Sequence, residues 1–156
     1  MNNLIDGHTR VSHVFFREPT IRTVAEMRRW IKAHYGEYVV MYHGTDSRIP
    51  VQSEGLLPTS ARRRRSLQSQ SGYVYLSVFP GMAQTFGEMA YPGRKISVYG
   101  VWVMVGDLLP DRDQLANQRA YAGRDFGSDL AASLVVGHGA RIKGRIPPSS
   151  IVWVKP

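Results

Sequence analysis

The sequence predicts an α+β domain with two packed sheets. Predicted strands outnumber predicted helices, and the apolar runs are short and interrupted by Gly and Pro. This pattern argues against a helix bundle and against a doubly wound fold. A length of 156 residues indicates one domain that is large enough to bury a substantial core.

The first predicted element is a helix over residues 23–35. Thr23 and Glu26 have the spacing of a capping box at its start, and Gly36 stands where a C-terminal cap belongs. One face of this helix is apolar and consists of Val24, Met27, Trp30 and Ile31.

The rest of the chain is predicted to form strands and one further well-marked helix. That helix covers 80–90 and begins with Pro at its first position, where the missing amide hydrogen costs nothing. Residues 107–122 carry turn and helix signals together. Strands are predicted at 38–42, 73–77, 95–105, 140–146 and 150–154.

Charge is the compositional feature that bears most directly on function. Twenty Lys and Arg against twelve Asp and Glu give a net charge of +8, which favours polyanions such as RNA, DNA or the pyrophosphate of a dinucleotide. With no cysteine there is no disulfide or thiolate metal site, and we expect no metal. We also expect no membrane partner and no signal peptide, hence a cytoplasmic protein or one delivered into a target cell's cytoplasm.

The best local signal for chemistry is Tyr42-His43-Gly44-Thr45, which is predicted to end an apolar strand. The strand would fix His43, and Gly44 would let a ligand approach the backbone closely. The alternative is a structural histidine at a strand end before a turn.

A second signal is a pair of aromatic residues. Tyr75-Leu76-Ser77 ends another predicted strand, and Phe86 follows Tyr75 by eleven residues, on the next helix. Two rings so placed can sandwich a flat heteroaromatic ring. Alternatively, Phe86 packs in the core on an amphipathic helix with Met82 and Met89.

In this order, the motifs resemble the ADP-ribosyltransferase superfamily. The resemblance covers roughly residues 38–156, so we expect one domain there and an N-terminal extension over 1–37 whose helix packs on it. The residues that carry it are Tyr42-His43-Gly44-Thr45, Glu54-Gly55-Leu56, Tyr75-Leu76-Ser77, Ala83 with Phe86-Gly87, and the closing run from Gly144 to Ile151.

The resemblance implies a split pair of small antiparallel sheets with flanking helices and NAD, as substrate, in the cleft between them. It implies that His43 binds the adenosine ribose, that the Gly44 backbone holds the nicotinamide carboxamide, and that Tyr75 and Phe86 stack on the nicotinamide ring. The reaction would displace nicotinamide through an oxocarbenium-like transition state. The implied NAD-binding residues are Tyr42, His43, Gly44, Thr45, Tyr75, Ser77 and Phe86.

One departure from the family pattern concerns the acid. The superfamily normally has a Glu on a late strand that binds the ribose 2′-hydroxyl, and residues 137–145 contain neither Glu nor Gln. The late-chain candidates for its role are Asp129, a carboxylate, and His138, which lies between two glycines. We therefore predict catalytic roles for His43, Tyr75, Asp129 and His138, with Asp129 more important than His138.

Basic residues form two clusters that would flank this active site in the family fold. We predict that both contact the phosphates of RNA. The alternative for the first cluster is a solvated charge run on a surface loop. The clusters are Arg62, Arg63, Arg64 and Arg65, and on the late strand Arg141, Lys143 and Arg145.

Three functions stay open. The leading one is a mono-ADP-ribosyltransferase, a toxin or effector, that modifies an RNA or protein acceptor. The second is an RNA 2′-phosphotransferase-like enzyme, although those enzymes usually have His where this chain has Tyr75. The third is a binding module for NAD or ADP-ribose without turnover, which the absent Glu keeps in consideration.

Overall fold

A computed structural model describes residues 21–58, 70–116 and 129–156. Within these ranges six strands form one antiparallel sheet in the order β4-β5-β2-β1-β3-β6. The strands are β1 Tyr38–Asp46, β2 Tyr73–Ser77, β3 Ile96–Met104, β4 Leu109–Pro110, β5 Gly139–Lys143 and β6 Ile151–Lys155.

Helices pack on both faces of the sheet. The predicted helices at 23–35 and 80–90 are confirmed, and the segment with mixed signals contains a short strand, β4, and a short helix, α4. The helices are α1 Val24–His34, α2 Val51–Glu54, α3 Pro80–Ala90, α4 Arg112–Ala116 and α5 Leu130–Ala132, which continues into a π-helical turn, Ser133–Gly137. Single 3₁₀ turns cover Val105–Asp107 and Pro148–Ser150.

The sheet consists of two halves with a narrow junction. β1 pairs with β3 along its whole length, whereas β1 and β2 pair at one position, Tyr42 opposite Ser77. Strands β4-β5-β2 therefore form one half and β1-β3-β6 the other. The expected pair of packed sheets is thus corrected to a single open sheet, because the Tyr42–Ser77 pair links the two halves edge to edge.

The predicted extension belongs to the main core. The capping box of α1 is present, with the Thr23 hydroxyl accepting from the Glu26 amide at 3.2 Å and Glu26 accepting from the Thr23 amide at 2.9 Å. The helix ends at His34, and its C-cap is Tyr35 rather than Gly36. Its Met27 side chain is 3% exposed and packs with residues of the sheet. Residues 21–37 therefore share the core of the rest of the chain.

The two faces of the sheet carry different layers. On one face α1 and the π-helical turn cover the larger cluster, which includes Met41, Val74 and Leu76. On the other face α3 covers a smaller cluster over β1 and β3. Side chains alternate along a strand, so Tyr75, between Val74 and Leu76, points to the face that carries α3. The smaller cluster consists of Val40, Tyr42, Ala83 and Val98.

Candidate functional site

The candidate site lies where the two halves of the sheet separate. Beyond the Tyr42–Ser77 pair, the His43 ring bridges the strands, with Nδ1 2.7 Å from the carbonyl oxygen of Tyr75. A ring nitrogen at this distance from a carbonyl oxygen must carry the proton, so Nδ1–H donates. In the neutral ring Nε2 is then the acceptor nitrogen. The bond therefore fixes both the orientation and the tautomer of His43.

His43 lies within β1 and not at its end, because β1 ends at Asp46 rather than at residue 42. The strand is extended by pairing with β3, which places His43 opposite Tyr99 and Thr45 opposite Ser97. The pairing partner, β3, is distant in sequence. The local sequence at Gly44-Thr45 therefore does not indicate that β1 continues beyond residue 42.

The neighbours of His43 in the motif are buried. Tyr42 is 5% exposed and meets the Trp153 ring edge-on, with the centroids 5.7 Å apart. Thr45 and Ser77 are also buried. On the side of α3, the helix backbone occupies the space of a side chain at Gly44, since a methyl group there would overlap the Ala83 carbonyl. These four residues therefore have packing roles in the structure.

The Tyr75 hydroxyl belongs to a hydrogen-bonded network. It donates to Oδ2 of Asp113 at 2.7 Å and accepts from the backbone amide of Gln70 at 2.9 Å. Burial, and then the bond to Asp113, raise the pKa of Tyr75, against an opposing hydrogen bond from Arg141. Tyr75 is therefore a neutral donor at physiological pH, and one residue joins His43 through its carbonyl to Asp113 through its phenol.

Phe86 does not join this network. It lies half-buried on α3, and within the described residues no ring contact links it to Tyr75. Two rings that sandwich a third ring do not touch each other, so the sandwich around nicotinamide stays a prediction.

Arg141 is buried beneath this network, not placed on the surface. It lies opposite Tyr75 in β5, it is 5% exposed, and its guanidinium carbon is 4.2 Å from the centre of the Tyr73 ring. Nη1 donates to Oε1 of Gln70 at 2.9 Å, and Nε has no hydrogen-bond partner in the described ranges. The prediction that Arg141 contacts RNA phosphates is therefore corrected, because its charge faces inward.

Two other residues that were predicted to contact phosphates lie on the surface. Lys143 and Arg145 are exposed, and Arg145 donates from Nε to the Glu54 carbonyl at 2.7 Å. Residues 62–65 lie outside the described residues.

Two carboxylates that are absent from the predicted site residues border the network. Asp111 and Asp113 follow β4, whose residues Leu109 and Pro110 pair with β5. Asp111 accepts from the Gln114 amide at 3.0 Å and so caps α4, while its own amide donates to the Ser133 hydroxyl at 2.8 Å. Burial raises the pKa of Asp111, and the negative charge of Asp113 acts in the same direction. The available signal was the run Pro110-Asp111-Arg112-Asp113 after an apolar pair.

Asp129 lies on a different face from the Tyr75 side chain. It caps α5 by accepting from the Ala131 amide at 2.9 Å, and it forms an ion pair with Arg28 of α1. Because α1 covers the face opposite to the Tyr75 side chain, the structure does not bring Asp129 and Tyr75 together.

His138 is close to the end of β2. It adopts a left-handed conformation with φ 52°, its carbonyl accepts from the Val78 amide at 2.9 Å, and its ring lies 5.5 Å from that of Phe79. It therefore joins β2 to β5 through its backbone, and its side chain packs against an aromatic ring.

No protein-family model matches this chain, and no curated protein is similar to it. Within the described residues, no group of three or more His, Asp or Glu side chains is arranged to hold a metal ion. The helices of that same part are all too short or too polar to cross a bilayer.

Proposed function

We propose that the chain is a NAD-dependent mono-ADP-ribosyltransferase that modifies a macromolecule. The observation that carries the proposal is the bond between His43 and Tyr75 at the point where the sheet halves separate. The two residues that the family resemblance assigns to NAD are distant in sequence, yet they meet at a gap between strands. A split of this kind is where the superfamily binds its dinucleotide.

The polar groups at the gap suit recognition of a ribosyl nicotinamide. The resemblance places the His43 ring, which the Tyr75 carbonyl orients, against the ribose, and Tyr75 supplies a half-buried aromatic ring with a fixed hydroxyl. Arg141 and Asp113 supply charge in a partly dehydrated setting, where electrostatic stabilisation of a transition state is strongest.

The proposed reaction transfers ADP-ribose from nicotinamide to an acceptor. The bond between ribose C1′ and the nicotinamide nitrogen breaks, and its electron pair leaves with neutral nicotinamide. The acceptor's oxygen or nitrogen forms the new bond to C1′ and loses a proton. RNA is our preferred acceptor because the chain carries a net charge of +8 and because Lys143 and Arg145 are exposed.

The direct test is incubation of the protein with labelled NAD and a mixture of RNA and protein acceptors, followed by nuclease or protease digestion to locate the label. We expect nuclease-sensitive label, and a loss of NAD binding or turnover of more than tenfold in His43→Ala. The matched control is His34→Ala, because His34 Nδ1 also meets a backbone carbonyl, that of Trp30, at 2.8 Å but on α1. An unchanged NAD titration and turnover in His43→Ala would remove the main support for the proposal.

A binding module for NAD or ADP-ribose is the second candidate, and the absence of Glu and Gln from residues 137–145 favours it. In the same incubation, such a module would bind NAD without release of nicotinamide. Release of nicotinamide by the wild-type protein, lost in His43→Ala, would exclude it.

A further inference from the structure

We infer that Asp113 is the catalytic carboxylate that accepts the proton of the attacking nucleophile. This inference rests on the proposed function and adds a proton acceptor, a role distinct from that of the late-strand Glu, which binds the ribose 2′-hydroxyl in the superfamily. As the C1′–nicotinamide bond breaks, a water or an acceptor hydroxyl forms a C–O bond to C1′. Its proton passes to the Asp113 carboxylate and then to solvent, while the bonding electrons leave with nicotinamide.

The position of Asp113 follows from Tyr75. The Tyr75 carbonyl meets His43 at 2.7 Å and its phenol donates to Asp113 Oδ2 at 2.7 Å, so Tyr75 connects the two residues, although the side chains of His43 and Tyr75 start from opposite faces of the sheet. A carboxylate has about four lone-pair positions on two oxygens, and the phenol occupies one. Asp113 is half-buried rather than enclosed, so a nucleophile from solvent can approach it.

Asp111 is less suited to this role than Asp113. Its Oδ1 accepts the Gln114 amide as the cap of α4, so this oxygen already has a structural partner. Burial raises its pKa, which favours the neutral acid over the ionised base. The Asp113 carboxylate instead accepts from the Tyr75 hydroxyl of the candidate site, so its bond is directed at the site itself.

Arg141 supplies a second observation that points to a ligand site. A guanidinium that is only 5% exposed with Nε unpartnered, in the part of the chain described, is costly unless negative charge lies nearby. Burial raises the pKa of Asp111 and of Tyr75, and the positive charge of Arg141 at Asp111 and its hydrogen bond at Tyr75 oppose this rise. The cluster therefore places a fixed cation next to carboxylates and a phenol, where it can attract an anionic group such as the pyrophosphate of NAD.

The test uses NAD as probe and water as nucleophile, with nicotinamide release as the measured rate. We expect Asp113→Asn to lower kcat by about 10²–10⁴, the usual contribution of a general base, while the NAD dissociation constant changes less than threefold. The matched control is Asp107→Asn, an exposed aspartate six residues earlier, which should behave as wild type.

Rescue by azide distinguishes a general base from a residue that only maintains the structure of the site. Azide is an anion and needs no deprotonation, so it should restore nicotinamide release in Asp113→Asn and have little effect on the wild type. If Asp113→Asn folds poorly, Asp113→Ser offers a second variant, because its hydroxyl can still accept from Tyr75. A slow variant that azide does not restore would overturn the inference, as would full activity in Asp113→Asn.

The two proposals fail in different ways. If the wild-type protein neither binds NAD nor releases nicotinamide, the proposed function is wrong. If the wild type is active and Asp113→Asn is equally active, the function stands and the role of Asp113 is wrong.

Discussion

Gly44 of β1 lies directly beneath the backbone of Ala83 of α3. A methyl group on Gly44 would overlap the Ala83 carbonyl, and one on Gly87 would lie 3.0 Å from the carbonyl carbon of Gly44. Glycines on both elements thus let α3 rest on the strand that carries His43. The residue after His43 is glycine because a helix backbone occupies the space of its side chain.

Gly44→Ala should therefore destabilise the fold. Because the obstructing atoms belong to a backbone, α3 has to shift, and overpacking of this kind typically costs about 1–3 kcal/mol. Urea unfolding measures the free energy of unfolding for this comparison. Gly81→Ala is the control, since an added Cβ at Gly81 of α3 meets nothing within 4 Å and alanine favours helix by up to about 1 kcal/mol. Equal stability of the two variants would contradict the packing argument.

The accuracy of the sequence predictions depended on whether their signals were local. Helices α1 and α3 were predicted because a capping box and an N-terminal Pro are contained in a few consecutive residues. β4 has only two residues and exists through pairing with β5, so the carboxylates after it could not be placed. The inward orientation of Arg141 depends on Tyr73 and Gln70, which belong to another part of the chain.

The acidity of Asp46 predicts a pH dependence of stability. Two hydrogen bonds from Arg48, at 3.0 Å from its amide and 2.6 Å from Nη2, help lower the pKa of Asp46 from 3.8 to about 2. A carboxyl group whose pKa is lower in the folded state stabilises the fold at pH values above its ordinary pKa of 3.8. This stabilisation is lost as the pH falls through the pKa of the folded state. Asp46→Asn should thus be less stable than wild type at pH 7.

Thermal melts between pH 7 and pH 2 measure this effect. The difference between wild type and Asp46→Asn should be constant above about pH 4 and shrink between about pH 4 and pH 2. Asp107→Asn, which removes an exposed carboxylate, should show no comparable change over that interval. A difference of constant size down to pH 2 would contradict the prediction.

Asp111 should show the opposite pH dependence. Burial raises its folded pKa, so the folded state binds more protons than the unfolded state, and stability falls as the pH rises from 3.8 through the raised value. Asp111→Asn removes this titration and keeps an oxygen that can accept the Gln114 amide. The stability of the variant relative to wild type should therefore increase from pH 3 to pH 7 in denaturant titrations. A decrease over that interval would show that ionised Asp111 is stabilised by its surroundings.

Asp129→Ala should reduce stability by about 0.5–2 kcal/mol because the α5 cap is removed. The ion pair with the exposed Arg28 contributes less to the free energy of unfolding, about 0–1 kcal/mol, as is usual for a surface ion pair. Asp129→Asn is the control, because it can still accept the Ala131 amide and loses only the charge. Chemical denaturation of the wild type, Asp129→Ala, Asp129→Asn and Arg28→Ala separates the contribution of the helix cap to stability from that of the ion pair. A loss of nicotinamide release in Asp129→Asn at unchanged stability would instead support the catalytic role predicted from sequence.

The basic residues predict how RNA affinity depends on salt. If Arg62, Arg63, Arg64 and Arg65 bind phosphates, replacing all four with Ser should flatten the plot of log affinity against log salt, by about 0.7–0.9 for each phosphate that is no longer neutralised. The control is Arg141→Gln, which removes a charge that is buried against Tyr73 and that should not release counterions from RNA. Fluorescence anisotropy with a labelled single-stranded RNA, from about 50 to about 300 mM salt, covers the range in which such slopes are measured. A slope that is the same in wild type and in the Ser variant would mean that these arginines form a solvated charge run, and a protein acceptor would then replace RNA as the preferred substrate.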